Sequence, residues 1–113
     1  MRAINLTIKK EIANNVIVAK GILERMKGLI GHSAIKSGDA LLIKPCKGIH
    51  TFGMKFPIDV IFLDKGNNVI AVKKYLPPNR ITPIYLRAKY VLELPEGTVE
   101  ETSTSIDDTI EII

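Results

Sequence analysis

Six residues between positions 46 and 59 have side chains able to do chemistry: Cys46, His50, Thr51, Met54, Lys55 and Asp59. They stand in the run C-K-G-I-H-T-F-G-M-K-F-P-I-D, which holds the only cysteine and one of the two histidines. Cys46, His50 and Met54 recur at every fourth position, and all three are soft or borderline metal ligands. A helix would put them on one face. Gly48, Gly53, Pro57 and the β-branched Ile49 and Thr51 oppose a helix. On an extended strand four residues span about 13 Å at ~3.3 Å each, too far for one ion. A copper(I) or zinc site would need bends at both glycines, and no second cysteine exists to complete a usual zinc set. No metal and no cofactor is expected.

A thiol enzyme would use Cys46 as the nucleophile, His50 as its base and Asp59 as the orienting carboxylate. Lys44 and Lys47 flank the cysteine and would favour its thiolate. The same separation stands in the way, because a base must lie within hydrogen-bond reach of the thiol. Buried cysteines are common as small hydrophobes, Met54 reads as core filler, and a histidine hydrogen-bonded to backbone is ordinary. The balance leans away from an enzyme. Asp59 lies inside the apolar run I-D-V-I-F-L, so it points inward and needs a partner; a structural tether is its expected role.

The reading that asks least of these residues is a ligand-binding or protein-interaction module. Cys46, His50, Thr51, Met54, Lys55 and Asp59 would then form a polar site, with Lys55, His50 and Thr51 recognising a small polar or anionic group. The alternative is nucleic-acid binding. Lys44, Lys47, Lys55, Lys73, Lys74, Arg80, Arg87 and Lys89 would form a basic stripe, and Tyr75, Tyr85 and Tyr90 would stack on bases. No GxGxxG, phosphate-loop, HExxH or CxxC pattern occurs, so the common nucleotide, protease and zinc-ribbon readings lack support.

The elements that must position these residues are short. Ile4, Leu6 and Ile8 alternate over residues 2–8, a half-buried strand. Residues 15–19 read as its hairpin partner across a turn at Asn14 and Asn15. Ile22, Leu23, Met26, Leu29 and Ile30 follow a helical period over 22–30, with Gly31 at the cap. Ser37-Gly38-Asp39 is a turn before an apolar strand over 40–43. Lys65-Gly66-Asn67-Asn68 joins strands 58–64 and 69–75 as a hairpin. Pro77, Pro78 and Pro83 bracket a rigid loop. Strand 88–94 turns Tyr90, Leu92 and Leu94 to one face and Lys89 and Glu93 to the other. Residues 98–108 read as a surface loop, and 109–113 as a last strand.

These elements predict a mainly β (α+β) fold in a single domain, 1–113. The expected form is a small antiparallel sandwich or barrel of six to eight short strands, with one helix covering an opening. The chain's 113 residues suit one domain, and 18 isoleucines against six aromatic residues imply an aliphatic, β-leaning core. The absence of glutamine and the wealth of Lys and Glu resemble a thermophile's composition. A single cysteine fits a reducing compartment, and no apolar run reaches the length of a membrane span. The expectation is a cytoplasmic protein with no membrane partner; the oligomeric state is left open. Charge is divided along the chain. All 16 Lys and Arg lie in 1–89, and seven acids with no Lys or Arg lie in 90–113. That division permits either an acidic end folded over basic strands or a basic face turned to an anionic partner.

Three segments resemble hallmark blocks of domain-of-unknown-function family 192: G-L-I-G-H (28–32), C-K-G-I-H-T-F-G-M-K-F-P-I-D-V-I-F-L-D (46–64) and V-L-E-L-P-E-G-T (91–98). The resemblance runs over nearly the whole chain. It implies a mainly β sandwich and no established activity. Many relatives look exported or lipid-anchored, and a leader of that kind is not read at this N-terminus. The chain departs from the pattern twice. A near-terminal Gly-Asp stands here as Asp107-Asp108, and a tryptophan that many relatives carry before the methionine is Gly53.

Overall fold

The computed structural model describes residues 1–20 and 35–113. The helix expected over 22–30 lies outside the described residues. Eight strands and one helix are seen among the rest: β1 (Ala3–Asn5), β2 (Lys10–Ala13), β3 (Asn15–Lys20), β4 (Asp39–Lys44), β5 (Ile58–Leu63), β6 (Val69–Leu76), β7 (Tyr90–Pro95), α1 (Thr98–Thr102) and β8 (Ile110–Ile112). They form a three-stranded sheet in the order β2-β1-β8 and a five-stranded sheet in the order β3-β4-β7-β5-β6. The fold is mainly β, as the sequence predicts.

The two sheets pack face to face. Val16, Leu42, Ile61, Leu63, Leu92 and Leu94 of the large sheet meet Ala3, Ile12, Ala13 and Ile110 of the small one. The other face of the large sheet is covered too, by chain outside the strands. There Leu41, Ile43, Ile58, Val60, Phe62 and Val91 pack with Cys46, Met54 and Ala88, and with the half-buried Ile49, Phe56 and Tyr85. The large sheet is thus the middle of three layers. This explains why β5 is an unbroken apolar run apart from Asp59: all six of its residues are buried.

The β5–β6 hairpin forms as predicted. Asp64 accepts the N–H groups of Gly66 and Asn68 at 2.9 Å each, and Asn67 takes the left-handed conformation (φ 64). Hydrogen bonding from the Asn68 N–H, above all, holds the Asp64 carboxyl below its ordinary value. Gly38, also left-handed (φ 90), turns the chain into β4.

Four local expectations are corrected. β1 pairs antiparallel with β2, whereas β3 crosses to the large sheet and pairs parallel with β4, so the sheets are not wholly antiparallel. Ala3 and Asn5 face inward in β1, and Leu6 is exposed. Asn5 can be buried because its amide donates to Asp108 Oδ2 at 2.9 Å while its carbonyl accepts the N–H groups of Thr7 and Ile8. The stretch 98–108, read as loop, opens with α1. Glu93, read as outward, is buried in β7. Asp107, where the family pattern has glycine, still adopts the left-handed turn (φ 77), which aspartate tolerates better than most residues.

Candidate functional site

The 46–54 stretch runs beside residues 77–89 as an irregular ladder. Cys46 N–H donates to Lys89 O (3.0 Å), Tyr85 N–H to Lys47 O (2.8 Å), Thr82 N–H to Ile49 O (3.0 Å) and Thr51 N–H to Arg80 O (2.9 Å). His50 and Ile81 form an isolated bridge within it. Gly48 permits the close approach, since a Cβ there would stand 3.0 Å from Pro83 O and 2.8 Å from Ile84 Cδ1. The ladder lies over the outer face of the large sheet and fixes the direction of each candidate side chain.

The six residues expected to form a site divide into a framework and an exposed pair. Cys46 is buried and its thiol hydrogen-bonds Gly48 O at 3.2 Å. Met54 is buried in the same apolar cluster. Thr51 is fully buried; its hydroxyl donates to Pro77 O (2.7 Å) and accepts Arg80 N–H (2.9 Å), clamping the two sides of the ladder. Asp59 is fully buried; Oδ1 accepts Tyr75 N–H (2.9 Å) and Oδ2 accepts Val99 N–H (2.8 Å). That is a tether between β5, the end of β6 and α1. Tyr75 needs it, because its own φ is +51. His50 and Lys55 are exposed. His50 Nδ1 accepts Phe52 N–H at 3.2 Å, and the two rings stack with centroids 5.2 Å apart. A ring nitrogen that accepts is unprotonated, so the neutral imidazole carries its proton on Nε2.

Cys46, His50 and Asp59 do not converge. Asp59 is paired with Leu94 and bonded to Val99, both in the cluster between the sheets, whereas Cys46 belongs to the cluster on the opposite face. Among the described residues no group of three or more His, Cys, Asp or Glu side chains is placed to hold a metal ion.

The basic stripe is partly engaged. Lys47 Nζ donates to Leu86 O (2.6 Å), Lys74 lies 3.9 Å from Glu100, and Arg87 lies 3.9 Å from Asp64. The Lys74–Glu100 pair brings the acidic end of the chain onto its basic part. The tyrosines do not share a platform. Tyr85 packs on Phe62 (4.6 Å) over the outer face, Tyr90 packs against the cluster between the sheets, and the Tyr75 hydroxyl bonds Glu100.

One residue missed by sequence reasoning is the most unusual group of the large sheet. Glu93 is 6% exposed, lies opposite Leu41 on one side and Val60 on the other, and has no hydrogen bond or ion pair among the described residues. Burial pushes its carboxyl up from 4.5 to about 7. The signal was available: V-L-E-L is a single acid inside an apolar strand, the same pattern that marked Asp59.

Comparisons with known proteins agree with this architecture. Residues 4–112 match the model of DUF192, a family described as Uncharacterized ACR. A UPF0127 protein of Thermococcus sibiricus is 31% identical over 96% of this chain and 72% of its own length. Another, of Pyrococcus furiosus, is 29% identical over 96% and 95%. Both sources are thermophilic archaea, in keeping with the composition. A crystal structure of a protein of unknown function from Novosphingobium aromaticivorans superposes with a TM-score of 0.86 at 17% identity, over 99% of this chain and 84% of that one. One from Sinorhizobium meliloti, described as a proposed transcription regulator, gives 0.80 at 21% over 97% and 89%. Identities this low show a shared fold.

Proposed function

The chain belongs to the DUF192 family, and from that premise we propose that it is a ligand-binding module whose loop layer recognises a small polar or anionic group. The observation that supports this reading is the stacked pair of His50 and Phe52 on a ladder locked by Thr51. The clamp spends Thr51, Cys46, Met54 and Asp59 on rigidity, so these four act as framework. His50 and Lys55 are the contacts. His50 offers an outward N–H, Lys55 a charge, and Phe52 an apolar surface. Arg80, whose backbone is held by Thr51, supplies a second cation on the same ladder. A preorganised donor set of this kind binds with little ordering cost.

The stacking surface that nucleic-acid binding would require has no counterpart among the three tyrosines, which are divided between layers. The regulator description of one structural neighbour concerns that protein, and at 21% identity it lends this chain a fold only.

The test is thermal shift and amide chemical-shift mapping against inorganic phosphate, sulfate, citrate and nucleoside monophosphates. Stabilisation by one or more, with shifts centred on His50, Phe52 and Lys55 and lost in His50→Ala and Lys55→Ala, would support the reading. Ligand shifts unaffected by either variant, or no response across the series, would overturn it.

A further inference from the structure

This fold shows twice how it accommodates a buried carboxylate. Asp59 takes two backbone N–H groups. Asp108 takes the Asn5 amide at 2.9 Å and Ser105 N–H at 2.8 Å. Glu93 is as deeply buried as Asp108, at 6% against 7% exposed, yet among the described residues it receives no donor. A buried polar group without a partner is costly and rare, and its persistence calls for a physical reason.

Strand register supplies the setting. Ile17, Leu41, Glu93, Val60 and Lys73 lie opposite one another in one row across β3, β4, β7, β5 and β6, their side chains on the outer face of the large sheet. Exposure changes steadily along that row: Ile17 is 56% exposed, Leu41 9%, Glu93 6% and Val60 0%. The face is therefore open at the β3 edge and closes inward, with the carboxylate at the depth where solvent runs out. Around it the walls are aliphatic, from Leu41 and Ile43 on β4, Val60 on β5 and Val91 on β7.

We propose that Glu93 is the recognition group of a second site, entered from the β3 edge, that takes an organic cation with an apolar body: an alkyl or aryl chain ending in an ammonium or guanidinium group. The cationic head supplies the donors that Glu93 lacks, and the apolar body replaces water along Leu41 and Ile17. An anion is repelled there, and an apolar ligand without a donor leaves the carboxylate as it was.

The charged groups around the site leave this role to the ligand. Lys73 is in the same row but two strands away, about 10 Å at the usual spacing of neighbouring strands, with Val60 between. Lys44 ends β4 outside the row, and β7 brings no other charge to this face. Asp59 on β5 points between the sheets. From the loop layer Tyr85 packs on Phe62, and His50 and Lys55 are exposed.

The site rests on Glu93 and is independent of the one on the loop layer. Its test is a titration of the intact chain carrying carbon-13 at glutamate carboxyls, from pH 4 to 9, alone and with n-butylammonium, phenethylammonium or butyrate. Glu93 alone is expected to titrate near 7. Either ammonium probe should lower that midpoint by a unit or more, corresponding to about tenfold tighter binding to the ionised form, and butyrate should leave it in place. Glu93→Gln and Glu93→Leu should lose ammonium binding at least tenfold while keeping the far-ultraviolet spectrum. A Glu93 that titrates among the ordinary carboxylates, or a midpoint near 7 that no ammonium probe moves, would overturn the proposal. Since both results come from the unsubstituted protein, an unfolded variant does not obscure them.

Discussion

Asp59 on β5 and Val99 in α1 are 40 residues apart in sequence and joined by a 2.8 Å hydrogen bond from the Val99 N–H to Oδ2. Together with the bond from Tyr75 N–H, this makes one carboxylate the junction of two strands' ends and a helix. Asp59→Ala leaves two inward N–H groups without an acceptor, which should cost roughly 3 kcal/mol or more. Asp59→Asn keeps the shape and one acceptor oxygen and should cost less. Urea unfolding at neutral pH checks the order, and equal losses for the two variants would show that bulk rather than hydrogen bonding matters here.

Glu93 sets a pH dependence opposite in sign to that of a hydrogen-bonded carboxylate. Its folded-state value, about 7, stands above the unfolded 4.5, so the native state holds the proton more tightly. Below 4.5 both states are protonated and the group is neutral in effect. Between 4.5 and 7 its contribution becomes steadily unfavourable, and above 7 the penalty is complete, on the order of 3 kcal/mol. Glu93→Leu should therefore gain stability relative to the parent as pH rises across this window, with the difference flat above it. Chemical denaturation of the pair at pH 4, 6 and 8 measures that difference directly.

Cys46 is 4% exposed and hydrogen-bonded to Gly48 O. Iodoacetamide at neutral pH should reach it through opening of the 46–54 ladder, so alkylation should run at least about tenfold slower than in the urea-unfolded chain. A folded-state rate matching or exceeding that of a small thiol would mean that the sulfur is presented to solvent and activated.

Gly48→Ala should weaken the same ladder. The added methyl meets the Ile84 side chain, which can yield, and the Pro83 carbonyl, which is backbone and yields less. An overpacked contact of this kind costs roughly 1–3 kcal/mol. Adding Ile84→Ala should recover the side-chain part alone, and a double-mutant cycle separates the two.

How far the sequence was legible follows the layers. β5 and its hairpin were plain because a run of apolar residues and an Asx-type turn are local signals, and Asp59 was read as a tether for the same reason. Glu93 was missed because alternation in 88–94 was read with only one buried face. The second face is covered by residues 46–57 and 77–88, which have no period and so give no sign that they lie on a sheet. The partner of β3 was misassigned because a parallel pairing is decided by packing, whereas adjacency in sequence argues for a hairpin. α1 escaped notice because five residues are too few for a helical period to show. Of the candidate site, the residue types were visible, but the split between framework and exposed contacts depended on the Thr51 clamp, a contact with residues nearly thirty positions away.

The small sheet has a consequence for synthesis. β1, near the start of the chain, is its central strand, and one of its two neighbours, β8, is made about a hundred residues later. While the nascent chain emerges, β1 has β2 to pair with and one edge bare. Asn5 lacks Asp108, and the apolar faces of Ala3 and Ala13 lack the strand that brings Ile110 over them. The sandwich can close only when the tunnel has released β8. Until then the ribosome holds a half-built sheet with an open edge, and this is the interval in which a chaperone, or another nascent copy, would find it most receptive.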